Sequence, residues 1–129
     1  MEIINEKIIY KEDSFAIQGA IFEVYRQLGC GFLESVYQEA LERELLSRNI
    51  PYRSQQELVV YYKGDPLQQT FRADLVCYGK ILLELKAVNE ITYEHKAQVM
   101  NYLKVTGLRL GLLVNFGNKV RATVDRIAM

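Results

Sequence analysis

The sequence predicts an α/β fold, a mixed central sheet flanked by helices with its elements in the order ααβββαββ. Three features carry that expectation. Two segments of helical period come first, over 14–28 and 33–49; apolar, aromatic and β-branched residues then alternate between 57 and 88; and a third helical segment, 92–106, stands between two strands. The short connections make antiparallel hairpins and the strand–helix–strand crossover makes a parallel pair, so the sheet is mixed.

In the first helix Ile17, Ile21, Val24 and Leu28 recur at helical spacing, with Asp13 or Ser14 placed to cap the first turn. Gly29-Cys30-Gly31 ends it. The second, from about Leu33 to Asn49, is expected to bury Val36, Tyr37, Ala40, Leu41 and Leu45 and to show Glu42, Arg43 and Arg48 to water, before Pro51 forbids continuation. Strands are expected over Glu57–Tyr62 and Gln68–Tyr78, with a turn at Lys63-Gly64-Asp65-Pro66 between them. Gly79-Lys80 closes a second hairpin into Ile81–Val88. The third helix, Thr92–Thr106, stops at Gly107; Leu108–Asn115 is an apolar strand, and Lys119–Ile127 alternates as an edge strand. This order puts the strand from Ile81 in the middle of the sheet, beside the strand that follows the third helix.

The chain has 129 residues, half of them hydrophobic, which suits one compact domain over 1–129 with residues 1–12 as an N-terminal extension. Sixteen basic groups balance sixteen acidic ones, so no global field draws in an anionic partner. The balance is uneven, however: residues 104–129 carry five basic groups against one acidic, so such a partner is expected around Lys104, Arg109, Lys119, Arg121 and Arg126. Cys30 and Cys77 are expected to be reduced small hydrophobes of a cytoplasmic protein, because no secretory signal opens the sequence. Two cysteines and the lone His95 argue against a zinc or iron–sulfur site. No apolar run approaches the roughly 20 residues that span a bilayer, so no membrane association is expected.

The middle strand, Ile81-Leu82-Leu83-Glu84-Leu85-Lys86-Ala87, is apolar except for two charges. Alternation puts Leu82, Glu84 and Lys86 on one face. A buried charge is costly unless it is paired or binds a metal. Glu84 and Lys86 neutralising each other at a strand end is one explanation. The other comes from Asp74, ten residues earlier across the Gly79-Lys80 turn, which the hairpin can bring beside Glu84. Two converging carboxylates repel, and a hard divalent cation such as Mg²⁺ or Mn²⁺ relieves them.

Asp74-x9-Glu84-x-Lys86 resembles the D…(D/E)-x-K signature of the PD-(D/E)XK nuclease superfamily, borne there on a β-hairpin of an α/β core. Gly31-Phe32-Leu33-Glu34-Ser35-Val36-Tyr37 is similar to the element that names the GxxExxY family of that superfamily, and Gln98-Val99-Met100-Asn101-Tyr102-Leu103 resembles the Q-x-x-x-Y helix of its RecB-like branch. Arg72-Ala73-Asp74-Leu75 and the stretch from Thr106 to Leu113 fall in the expected order, so the likeness covers about residues 13 to 127. It departs at Ala73, where the superfamily name has proline; that loses a backbone restriction but no ligand.

The resemblance implies a metal-dependent nuclease that acts on DNA or RNA, DNA above all, and leaves a 5′-phosphate and a 3′-hydroxyl. It implies Mg²⁺ or Mn²⁺ on Asp74, Glu84 and the backbone carbonyl of Leu85 with Glu34 assisting, Lys86 activating or orienting water, and Gln98 and Tyr102 supporting the ligands or touching the nucleic-acid backbone. His95, one turn before Gln98, is expected to partner a neighbouring carboxylate or else to contact phosphate. A nuclease fold that is catalytically silent and serves as a binding module is the alternative, which the zero net charge favours and the intact acidic set opposes. A homodimer or a place in a larger assembly stays open.

Overall fold

The computed structural model describes residues 8–129. Its elements are α1 (Lys11–Leu28), α2 (Glu34–Ser47), β1 (Tyr52–Tyr62), β2 (Asp65–Cys77), β3 (Ile81–Lys86), α3 (Tyr93–Thr106), β4 (Leu110–Asn115) and β5 (Thr123–Ala128), in the expected order ααβββαββ. They form one sheet of spatial order β1-β2-β3-β4-β5, antiparallel except for the β3–β4 pair that α3 connects. The strand from Ile81 is therefore central, and β5 is an edge strand, as expected.

Alternation along β3 divides the core. Ile81, Leu83 and Leu85 pack with Leu112 and Val114 beneath α1 and α2, which contribute Ile17, Ile21, Val24, Tyr37, Leu41 and Leu45. Leu82 faces the other way and joins Val76, Leu113, Val99 and Leu103 under α3. Glu84 and Lys86 share the face of Leu82 by the same alternation.

Several boundaries differ from expectation. Helix α1 begins at Lys11, within the expected extension, after Tyr10 in a left-handed conformation. Ser14 is thus inside the helix and buried, accepting from the Gln18 amide at 3.2 Å instead of capping. In α2, Val36 is 38% exposed and Ala40 only half-buried, because Tyr37, Leu41 and Leu45 alone form the inward stripe. Strand β1 starts at Tyr52, since pairing with β2 recruits the polar run 53–56 that alternation passes over. Pro66 lies in β2, because Lys63 and Gly64 close the turn alone, both with positive φ, as a two-residue hairpin loop requires. Among the described residues His95 pairs with no carboxylate: its Nδ1 accepts the Thr92 N–H at 3.0 Å and the Thr92 hydroxyl accepts the His95 N–H, a reciprocal cap on α3. Both cysteines are free, but only Cys77 is buried; Cys30 is exposed between two glycines.

The connection out of β3 is locked to β4. Asn115, almost fully buried, accepts the Val88 N–H at 3.0 Å, donates to the Val88 carbonyl at 2.9 Å and accepts the Gly117 N–H at 2.9 Å. Gly117 lies so close that an added Cβ would stand 2.2 Å from the Val88 oxygen and 2.4 Å from its nitrogen. Gly117→Ala is accordingly expected to destabilise the fold by about 1–3 kcal/mol, the usual cost of overpacking, read as a lower urea midpoint.

Candidate active site

The site lies where β2 and β3 part. Their ladder runs Cys77↔Ile81, Val76↔Leu82 and Leu75↔Leu83, and Asp74 and Glu84 follow as the next opposed pair. Here side chains replace the backbone ladder. The Leu85 N–H donates to Asp74 Oδ2 at 2.8 Å, and the Asp74 N–H donates to Glu84 Oε2 at 3.2 Å. Each carboxylate thus has one oxygen fixed by the opposite strand, and the two are held together.

A break in alternation explains why the strands separate at this residue. Leu75 and Cys77 of β2 pack toward α1 and α2, whereas Ala73 and Phe71, of the same parity, pack under α3. Strand β1 reverses in step, from Tyr52 on the first side to Leu58 on the second. Their register stays constant through Ser54↔Leu75 and Gln56↔Ala73, and Gln55 between them takes φ 51°, left-handed for a non-glycine residue. Both strands roll over at the Gln55–Asp74 level, an irregularity of the kind that re-aims side chains beside active sites.

Burial makes the pair electrostatically tense. Glu84 is only 8% exposed, and burial first, then the negative charge of Asp74, push its carboxyl up to about 7, against the favourable Asp74 N–H bond and the charge of Lys86. Lys86 is half-buried at the end of β3 and, among the described residues, forms no salt bridge. A simple Glu84–Lys86 ion pair therefore does not account for the two charges. Glu34 opens α2, exposed, and its charge reaches Glu84 more weakly than those of Asp74 and Lys86.

Tyr102 comes from α3 and stacks on Phe71 at 3.7 Å between ring centroids. Burial, and next the nearby Glu84, raise its hydroxyl pKa, while the exposed Gln98 beside it works the other way. The expected α3 pair thus borders the acids. The expected basic group is divided. Lys119 and Arg121 are exposed in the segment after β4, at the end of the sheet that carries Lys86 and Asn115. Lys104, in the last turn of α3, and Arg109 both precede β4, whose start at Leu110 pairs with Ile81, about 20 Å away along the strand.

The donor set fits a hard divalent cation. Asp74 and Glu84 supply oxygens, their repulsion is what a cation relieves, and the Leu85 carbonyl is the adjacent neutral oxygen. No three His, Cys, Asp or Glu side chains cluster closely enough among the described residues to hold a metal unaided, so Leu85 and water would complete the shell. Asn115 and Gln38, which donates to the Asp74 carbonyl at 2.9 Å, are the supporting residues that spacing alone did not reveal. Asn115 left one trace, the only polar residue in Leu-Gly-Leu-Leu-Val-Asn.

The fold resembles the crystal structure of SSO0001, with a TM-score of 0.57 at 22% identity over 74% of this chain; the chain spans half the length of that protein. No curated protein matches the sequence. No helix among the described residues is long and apolar enough to cross a membrane. The model of the PD-(D/E)XK nuclease superfamily matches residues 11–127, nearly all of the described chain, and with the acidic pair at the open end of the β2–β3 hairpin the chain belongs to that superfamily.

Proposed function

We propose that the protein is a metal-dependent nuclease that hydrolyses phosphodiester bonds, most readily those of DNA. The observation that carries this is the convergence of Asp74 and Glu84 across the open end of the hairpin, with Lys86 beside them and in no salt bridge among the described residues. Asp74, Glu84 and the Leu85 carbonyl would hold Mg²⁺ or Mn²⁺, with Glu34 assisting from the start of α2 directly or through water. A bound divalent cation polarises a phosphoryl oxygen and lowers the pKa of its water. Lys86 orients the attacking water and meets the charge that grows on the phosphate, a task its mobile point charge suits. Gln98 and Tyr102 steady the acids from the α3 side. Within the superfamily, the Gly31–Tyr37 element and the Gln98–Tyr102 helix support a place in the GxxExxY family of the RecB-like branch. A cytoplasmic location goes with this reading.

The test is incubation of the purified protein with single-stranded DNA, duplex DNA and RNA in Mg²⁺ or Mn²⁺. Cleavage that survives excess chelator would rule the proposal out.

Of the four surface cations, Lys119 and Arg121 follow the Lys86–Asn115 end of the sheet, so they guide the phosphate backbone, while Lys104 and Arg109 meet only a longer substrate. Reversing Lys119 and Arg121 to glutamate is expected to weaken binding of labelled DNA to the Lys86→Ala protein more than reversing Lys104 and Arg109. Each lost phosphate contact should lower the log–log salt slope by roughly one. The opposite ranking, read by fluorescence anisotropy, would move the nucleic-acid path to the far end of the sheet.

A further inference from the structure

Asp74 is tied at three points: its N–H to Glu84, its Oδ2 to Leu85, and its carbonyl to the Gln38 side chain. The third tie alone comes from outside the sheet. Gln38 lies one helical turn after Glu34 on α2, half-buried, and its amide is fully engaged. Its Nε2 donates to the Asp74 carbonyl at 2.9 Å and to Glu42 Oε2 at 3.2 Å, and its Oε1 accepts from Gln55 Nε2 at 3.3 Å. Glu42 and the Asp74 carbonyl together fix which way the amide points, since both only accept and so demand its Nε2, which leaves Oε1 to Gln55. Gln55 is also the left-handed residue opposite Asp74, so the link joins the helix to both strands at their point of rollover.

The helix that bears Gln38 is itself held firmly. Tyr37, fully buried, stacks on Phe116 with ring centroids 4.4 Å apart and donates its hydroxyl to the Gly29 carbonyl at 2.5 Å.

We propose that Gln38 is a positioning residue: by clamping the Asp74 carbonyl it sets the peptide from which the Asp74 carboxylate reaches Leu85, and so places both metal-facing groups. The inference rests on the nuclease reading of Asp74 and Glu84. A residue that packs α2 on the sheet would contribute to stability only. A residue that sets a ligand contributes to metal affinity and to turnover, and leaves substrate affinity alone.

The test uses the full chain with Gln38→Met, which keeps the length of the side chain and loses its donor, and with Gln38→Ala and Gln55→Met as second variants. In metal-free protein, hydrogen exchange of the Leu85 amide is expected to accelerate about tenfold in Gln38→Met, because Asp74 Oδ2 is no longer held against it. By titration calorimetry the Mn²⁺ Kd should rise about 10- to 100-fold, with kcat falling and KM unchanged. Gln55→Met should give the same pattern at smaller amplitude. Gln18→Met, which removes an amide bonded to Ser14 of its own helix, should leave every readout at its wild-type value. Unchanged Leu85 exchange with a Mn²⁺ Kd within twofold of wild type would overturn the proposal and leave the nuclease reading standing. Wild-type protein that binds no Mn²⁺ would overturn the reading of the site itself, and the proposal with it.

Discussion

Replacing Lys86 by alanine is expected to lower metal-dependent cleavage by about 10²- to 10⁴-fold, the usual contribution of a positioned proton-transfer group, while Mn²⁺ still binds. The two effects separate because Lys86 offers no oxygen to a metal. Its removal takes away a charge beside the acids and should not loosen their hold on a cation. Asp74→Asn and Glu84→Gln should instead lose metal binding and cleavage together, since each replaces a charged oxygen donor by a weaker neutral one. Lys86→Arg should rescue poorly: the planar guanidinium keeps the charge but cannot stand in for a compact ammonium that orients water. Full cleavage by Lys86→Ala would remove Lys86 from the reaction. Loss of cleavage in Lys86→Ala together with loss of Mn²⁺ binding would show that it shapes the metal site instead.

The part of this site that was legible in the sequence is the part that depends on local pattern. Alternation in Ile81–Lys86 and the short turn before it are enough to place Asp74 opposite Glu84, and the helix between two apolar strands is enough to make β3 central. What stayed hidden depends on contacts between distant segments. The rollover at Asp74 requires Gln55 to take a left-handed φ, which nothing about a glutamine announces. Gln38 reads as one more polar position on a surface helix until β2 is laid beneath it. His95, one turn before Gln98, was expected to partner a carboxylate or else to contact phosphate, yet a capping box with Thr92 accounts for it. Charge counting gathered Lys104, Arg109, Lys119 and Arg121 into one group because they are close in sequence. The β4 strand between Arg109 and Lys119 carries them to opposite ends of the sheet.

Wild-type protein is expected to lose stability between about pH 4.5 and pH 7, and the loss should vanish in Glu84→Gln. The folded carboxyl titrates at about 7, against 4.5 in the unfolded chain, through burial and the repulsion of Asp74. Below 4.5 both states are protonated and Glu84 costs nothing. Between the two values the unfolded chain ionises and the folded one resists, so stability falls as pH rises, and above 7 the loss is complete. Its size is on the order of 3 kcal/mol, which corresponds to a shift in Tm of roughly 10 °C for a chain of this length. Glutamine keeps an oxygen that can accept the Asp74 N–H and removes the charge, so at pH 8 the metal-free variant should melt above wild type. Mn²⁺ should stabilise wild type at pH 8 by about 2.7 kcal/mol at a hundredfold excess over Kd, and far less at pH 5, where the proton competes for Glu84. The variant should gain little at either pH. If Glu84 serves instead to neutralise Lys86, the signs reverse. Glu84→Gln would then destabilise the metal-free protein by about 3 kcal/mol or more through a stranded ammonium, and Mn²⁺ would leave the wild-type Tm unmoved. That pair of results would reduce the two charges of β3 to a structural ion pair and remove the physical basis for a metal at this site.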